Sequence, residues 1–189
     1  MGSLILGVSG WSAAHWMKRL APGLRGALTA RLGEGSNGVI AVLLVLSIVA
    51  MVLGYQRADF TQVWTPPAFF THINNLLMLM AFYCFGASAR KTDRVWLGTK
   101  LRHPQLTGFI IWAIAHLLVN GDVASVILFG GLLLWAALSI RLINRAEGPW
   151  TPPPRAPVKS EIVLVVITLV LFSIVAAIHT WLGYSPFGG

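Results

Sequence analysis

Apolar residues run through this chain in six stretches, at roughly 2–17, 36–55, 66–87, 103–119, 122–142 and 161–182, separated by short polar segments. A helix that crosses a bilayer needs about 20 such residues. The first and fourth stretches are shorter and require tilt or local thinning of the bilayer. The pattern predicts an all-α, polytopic membrane helical bundle of about six transmembrane helices in a single domain, residues 1–189. Boundary residues sharpen the divisions. Pro66 and Pro104 are expected at first helical positions, where a missing N–H costs nothing. Asp122 is expected to cap the fifth helix, after a tight Asn120-Gly121 turn that folds the fourth and fifth helices into a hairpin. The segment LAPGLRGALTARL, residues 20–32, reads as an interfacial helix. The stretch 148–160, opening GPWTPPPRAP, reads as a stiff proline-rich linker before the last helix.

Composition supports the membrane assignment. The 189 residues are 56% hydrophobic and only 11% charged, where soluble domains average about 25% charged. Mean hydropathy is +0.74. The net charge of +8 invites a nucleic-acid reading, but its distribution argues otherwise. Lys18, Arg19, Arg25 and Arg31 follow the first stretch. Arg90, Lys91, Arg94, Lys100 and Arg102 follow the third. Arg141, Arg145, Arg155 and Lys159 follow the fifth, which leaves only Arg57 of the fourteen basic residues elsewhere. Basic residues in alternate loops place those loops in the cytoplasm and both termini outside. The expected contact is membrane lipid, with no nucleic acid. The one cysteine, Cys84, excludes a disulfide framework, and no CxxCH motif offers covalent attachment of a c-type haem. The first stretch has no basic segment before it and ends in Lys18-Arg19, so it is expected to be a retained span rather than a signal peptide.

The polar groups inside the stretches carry the candidate chemistry. All five histidines, His15, His72, His103, His116 and His179, lie within or at the edge of a stretch, and no Asp, Glu, Lys or Arg lies deep in one. Proton pumps and ion-coupled transporters usually carry a buried carboxylate. A neutral imidazole can ligate iron without bringing a charge, and histidines on facing helices are a natural way to hold haem in a bundle. Gly108, Trp112, His116 and Asn120 follow an i, i+4 stripe. Gly108 would admit a flat ring to the backbone, Trp112 would stack on it and His116 would ligate its iron; the alternative is a hydrogen bond from His116 to a neighbouring helix. Depth sets His72, His116 and His179 toward the outer leaflet, and His15 and His103 toward the cytoplasm. On this count His72 is the partner for His116. His103, just before Pro104, reads as a helix-start residue, His179 as part of an aromatic belt, and His72 with Asn75 as a small polar face.

Three blocks of the chain resemble the NnrU family of bacterial membrane proteins: AHWMKRLAPGLRGALTARLGEG at 14–35, VWTPPAFFTH at 63–72, and LRHPQLTGFIIWAIAHLLVNGDVASVILFGG at 101–131. The family name refers to regulation of nitrite and nitric oxide reduction in denitrifying bacteria, which implies a bacterial inner-membrane, multi-pass protein. The family is similar to 15-cis-zeta-carotene isomerase, a membrane enzyme with a b-type haem held by two histidines. That similarity implies haem b as cofactor, with His116 in Trp-x-x-x-His as one ligand and His15 as the other. It also implies a lipophilic, polyene-like substrate. Where the isomerase has a cysteine three residues before the helical histidine, this chain has Ala113, so a switch of ligand to that cysteine is not open to it.

Two functions of different class follow. The first is a haem-binding membrane protein with a redox or denitrification-related role, working with a redox partner or reductase, or isomerising an apolar polyene. The second is a cofactor-free accessory that assists assembly or regulation of a reductase, its histidines serving as interhelical glue.

Overall fold

The structure, a computed structural model, describes residues 1–90 and 92–188. Lys91 of the second basic segment lies outside the described residues, as does Gly189. Seven helices account for most of the chain: α1 Gly2–Leu20, α2 Pro22–Leu32, α3 Gly35–Gln56, α4 Phe70–Gly86, α5 Pro104–Val119, α6 Val123–Glu147 and α7 Val158–Trp181. A short 3-10 turn, Trp96–Thr99, precedes α5. Among the described residues the only β pairing is two isolated bridges, Gln62 with Asp122 and Arg94 with Arg155. Each of the six apolar stretches forms a helix, and the expected interfacial segment forms α2, which buries none of its residues. Helices α3, α6 and α7 are long and apolar enough to cross a membrane. Both α3 and α7 are apolar around most of their circumference. Val42, Val45 and Leu46 on α3, and Val166 and Leu169 on α7, are exposed side chains that water would not favour and lipid would.

Contacts group the chain into two units: Met1–Trp64 with Gly121–Trp135, and Thr65–Asn120 with Ala136 onward. In the first unit α1 and α3 pack antiparallel, with small residues at the crossing. A Cβ at Gly7 would come within 2.7 Å of the Met51 amide nitrogen, and one at Gly10 within 2.8 Å of Ser47 Oγ. Small residues let helices approach closely where lipid supplies no hydrophobic drive for association. The first turns of α6 run parallel to α1, with Gly131 seated against Val8. Asp122 caps α6 as expected, Oδ1 accepting from the Ser125 amide at 2.9 Å and Oδ2 from the Ser125 hydroxyl at 2.6 Å. With its proton committed to the carboxylate, Ser125 Oγ accepts from the Tyr55 hydroxyl at 2.8 Å, which ties the end of α3 to the start of α6. The Gly121 carbonyl accepts from the amides of Val63 and Trp64, and the Thr61 carbonyl from Val123. A π-helical segment, Val126–Gly130, follows the cap.

In the second unit α4 is the central helix, packed antiparallel to both α5 and α7. Gly108 on α5 lies against the Ala81 carbonyl and Cys84 of α4, and Gly86 of α4 against Leu164 of α7. Glu161 in the first turns of α7 accepts from the Tyr83 hydroxyl and, at 2.9 Å, from the Trp96 amide. Ala87, Val95 and Leu164 form a small core above this contact, with Tyr83 and Leu97 packed on it.

One expectation about a helix start is corrected. Pro104 is at the first position of α5, but Pro66 does not open α4. That helix begins at Phe70, because Pro66-Pro67 leads into a turn in which the Phe70 amide donates to the Pro67 carbonyl at 3.0 Å. The proline-rich segment after α6 is tied to the chain that precedes the 3-10 turn. The Arg94 amide donates to the Pro154 carbonyl at 3.0 Å and the Ala156 amide to the Arg94 carbonyl at 2.7 Å.

Candidate functional site

His15 lies in the last third of α1, where its Nδ1 is 2.9 Å from the Trp11 carbonyl one turn earlier. A carbonyl oxygen can only accept, so Nδ1 carries the proton and, in the neutral imidazole, Nε2 carries the lone pair. The Trp11 ring lies beside the imidazole with centroids 4.3 Å apart and planes at 45°. Trp135, delivered by α6 and only 6% exposed, approaches the imidazole at 4.9 Å and 65° and Trp11 at 5.4 Å and 71°. The Trp11 indole Nε1 is buried and has no hydrogen-bond partner among the described residues.

His116 on α5 repeats this turn. Its Nδ1 is 2.9 Å from the Trp112 carbonyl, and the Trp112 ring stands 4.9 Å away at 47°. The aromatic contacts continue through Phe109, 5.0 Å from Trp112, to Phe85 of α4, 6.2 Å from Phe109. Asn120 closes the helix end, its Nδ2 donating to the His116 carbonyl at 2.8 Å. The two Trp-x-x-x-His turns therefore share one geometry, in different units of the chain.

The remaining candidates fall differently. The space at Gly108, expected to admit a flat ring, is filled by α4: a Cβ there would meet the Ala81 carbonyl oxygen at 2.8 Å and Cys84 Cβ at 3.1 Å. Gly108 thus serves helix packing. His72 is exposed on the first turn of α4, and Asn75 turns away to donate to the Pro186 carbonyl at 2.9 Å. His103 Nε2 donates to Asn144 Oδ1 at 2.8 Å, which suits a helix-start residue. His179 holds its Nδ1 2.8 Å from the Val175 carbonyl. Asn74, 9% exposed, keeps a buried Oδ1 without a partner among the described residues. No group of three or more His, Cys, Asp or Glu that could hold a bare metal ion occurs among the described residues; a porphyrin iron asks the protein for two axial ligands at most.

Between α4 and α7 runs an open groove of about 310 Å³, lined by Met80, Tyr83, Cys84, Leu97, Val165 and Thr168 among others. Its walls are almost wholly apolar, and its volume is at the lower end of that of small-molecule sites, which start near about 300 Å³.

Trp135 and the equivalence of Trp11-His15 with Trp112-His116 are the features that sequence reasoning missed. The second was open to a search for repeated four-residue spacings rather than long repeats. Trp135 gave only a weak signal, an indole in mid-helix away from the belt positions that tryptophan usually takes.

The family profile described as NnrU protein matches residues 3–186. No curated protein and no solved structure matches the chain.

Proposed function

The chain belongs to the NnrU family and is built from membrane-span-like helices, and from that premise we propose that it is a multi-pass inner-membrane protein that binds a b-type haem, with His15 and His116 each a candidate axial ligand. The observation that carries the reading is the matched pair of Trp-x-x-x-His turns. In each, the backbone carbonyl of the tryptophan fixes the proton on Nδ1, as partners of metal-bound histidines do, so that in the neutral imidazole Nε2 is the nitrogen that carries the lone pair. In each, an indole at position i−4 packs on the imidazole.

The donor set fits the group. Two neutral imidazoles bring no charge into the hydrocarbon. The orphaned Trp11 N–H is a donor that an acceptor on a bound ligand, such as a carboxylate, would satisfy. Bound there, haem supplies reversible one-electron chemistry at iron, tuned by its axial ligands and their hydrogen bonds. The protein's own part is to hold each Nδ1 proton at a carbonyl, to restrict each imidazole by its indole, and to exclude water with apolar helices. A redox or denitrification-related role, with a redox partner or reductase, follows most simply from that arrangement. The apolar groove between α4 and α7 supports the companion reading, isomerisation of an apolar polyene.

The test is a reduced-minus-oxidised spectrum of detergent-purified protein beside His15→Ala and His116→Ala. The wild type should show sharp b-type α and β bands, and each variant should lose or broaden them. A colourless wild type from cells with ample haem contradicts the proposal and favours a cofactor-free assembly role. Carbon monoxide then separates the two haem functions: a reduced iron that ignores it favours electron transfer, and one that binds it favours a site that opens to substrate.

A further inference from the structure

We propose that Trp135 is a positioning residue for His15: it sets the plane of the imidazole and so the electronic character of an iron bound at Nε2. The proposal rests on the haem reading above.

A histidine tethered only through Nδ1 to its own helix can still rock about its Cβ–Cγ bond. Trp11 limits that motion from within α1. Trp135 limits it from a second helix, its ring plane steeply inclined to both the imidazole and Trp11. The indole is buried, so it has little room to move aside. Its approach is fixed from below. Gly131, one turn earlier on α6, touches Val8, one turn before Ser12 on α1; a Cβ at Gly131 would come within 2.6 Å of Val8 Cγ1. The first turns of α6 are further held by Asp122 and by the Tyr55–Ser125 bond. The backbone of α6 is therefore brought close to α1 at a glycine, and the next turn inserts its largest side chain against the candidate ligand. Simple gap-filling would be served by leucine, the commonest residue on this helix. An indole adds a rigid plane and a preferred edge-on geometry.

The experiment compares wild type, Trp135→Phe and Trp135→Leu by haem content, thermal midpoint and the low-spin electron paramagnetic resonance of the oxidised haem, which reports the orientation and strain of axial imidazoles. Haem content should stay within about twofold of wild type in both variants. The low-spin signal should shift or split in Trp135→Leu, with Trp135→Phe intermediate because it keeps a ring. Cyanide binding to the oxidised haem should be faster in Trp135→Leu by about three- to tenfold, the change carried by one aromatic contact. A haem-loaded Trp135→Leu with the wild-type signal and cyanide rate overturns the proposal. If Trp135→Leu does not fold, Trp135→Phe decides by the same signals. A wild type without haem overturns the parent reading, and the two failures are distinguished by colour alone.

Discussion

At the scale of single residues, the recurring device is a polar group whose proton is assigned by its partner. His15 and His116 each face a carbonyl, which settles the tautomer without any charged group. Glu161 is the counterpart outside the span centres. It accepts from the Tyr83 hydroxyl and the Trp96 amide, joining α4, the 3-10 turn and α7 through one carboxylate. Replacing Glu161 by Ala leaves two donors without their acceptor, at a cost of about 1–3 kcal/mol. The thermal midpoint in detergent should fall accordingly, and Glu161→Gln, which keeps one acceptor, should lie between. An unchanged midpoint in Glu161→Ala would show that water replaces both bonds. Asp122→Ala should cost roughly 1 kcal/mol as a lost helix cap, and more if the Ser125–Tyr55 bond goes with it. The cap was legible in the sequence, since Asp after Asn-Gly and before an apolar run is a local signal. The Glu161 contact was not, because its partners lie 65 and 78 positions away and nothing local marks them.

At the scale of elements, small residues decide which helices meet. Gly7, Gly10 and Gly54 bring α1 and α3 together, and Gly108, Ala81 and Cys84 do so for α4 and α5. Overpacking such a crossing typically costs about 1–3 kcal/mol. Gly108→Val should therefore lower the thermal midpoint and expose α4 and α5 to proteolysis, while Gly26→Ala on α2, where a Cβ meets nothing within 4 Å, should be neutral or slightly stabilising. If Gly108→Val were as stable as wild type, the close α4–α5 crossing would be wrong. The apolar runs made every one of these helices visible in the sequence, but Gly108 was read for a ring because spacing shows which residues share a face and not what covers it. The same limit explains Pro66. A Thr-Pro-Pro sequence before an apolar run resembles a helix start, yet the chain uses the prolines in a turn and begins α4 at Phe70.

At the scale of the whole molecule, the charge pattern carries the proposed topology. Within one unit α1 and α3 pair antiparallel and α1 and α6 approach in parallel, and within the other α4 pairs antiparallel with α5 and α7; the expected six-span topology is a proposal compatible with each unit taken by itself. That topology predicts reporter fusions active in the cytoplasm when placed after Arg31, in the segment 92–95 or after Arg155, and active outside when placed between Ala58 and Gln62 or after Pro186. A fusion after Gln62 that reports from the cytoplasm would contradict it. Helix existence and the histidine inventory were readable from the sequence because bilayer thickness and the expense of buried polar groups act locally. The pairing of His15 with Trp135 of another helix was not, since it depends on tertiary packing. The central proposal is that the chain binds a b-type haem, with His15 and His116 as its candidate axial ligands. Electron paramagnetic resonance of the oxidised, purified protein tests it most directly. A low-spin ferric signal of bis-imidazole type, converted to high spin in both His15→Ala and His116→Ala, is the predicted result. A wild type with no ferric haem signal, or one whose signal is indifferent to both substitutions, would contradict it.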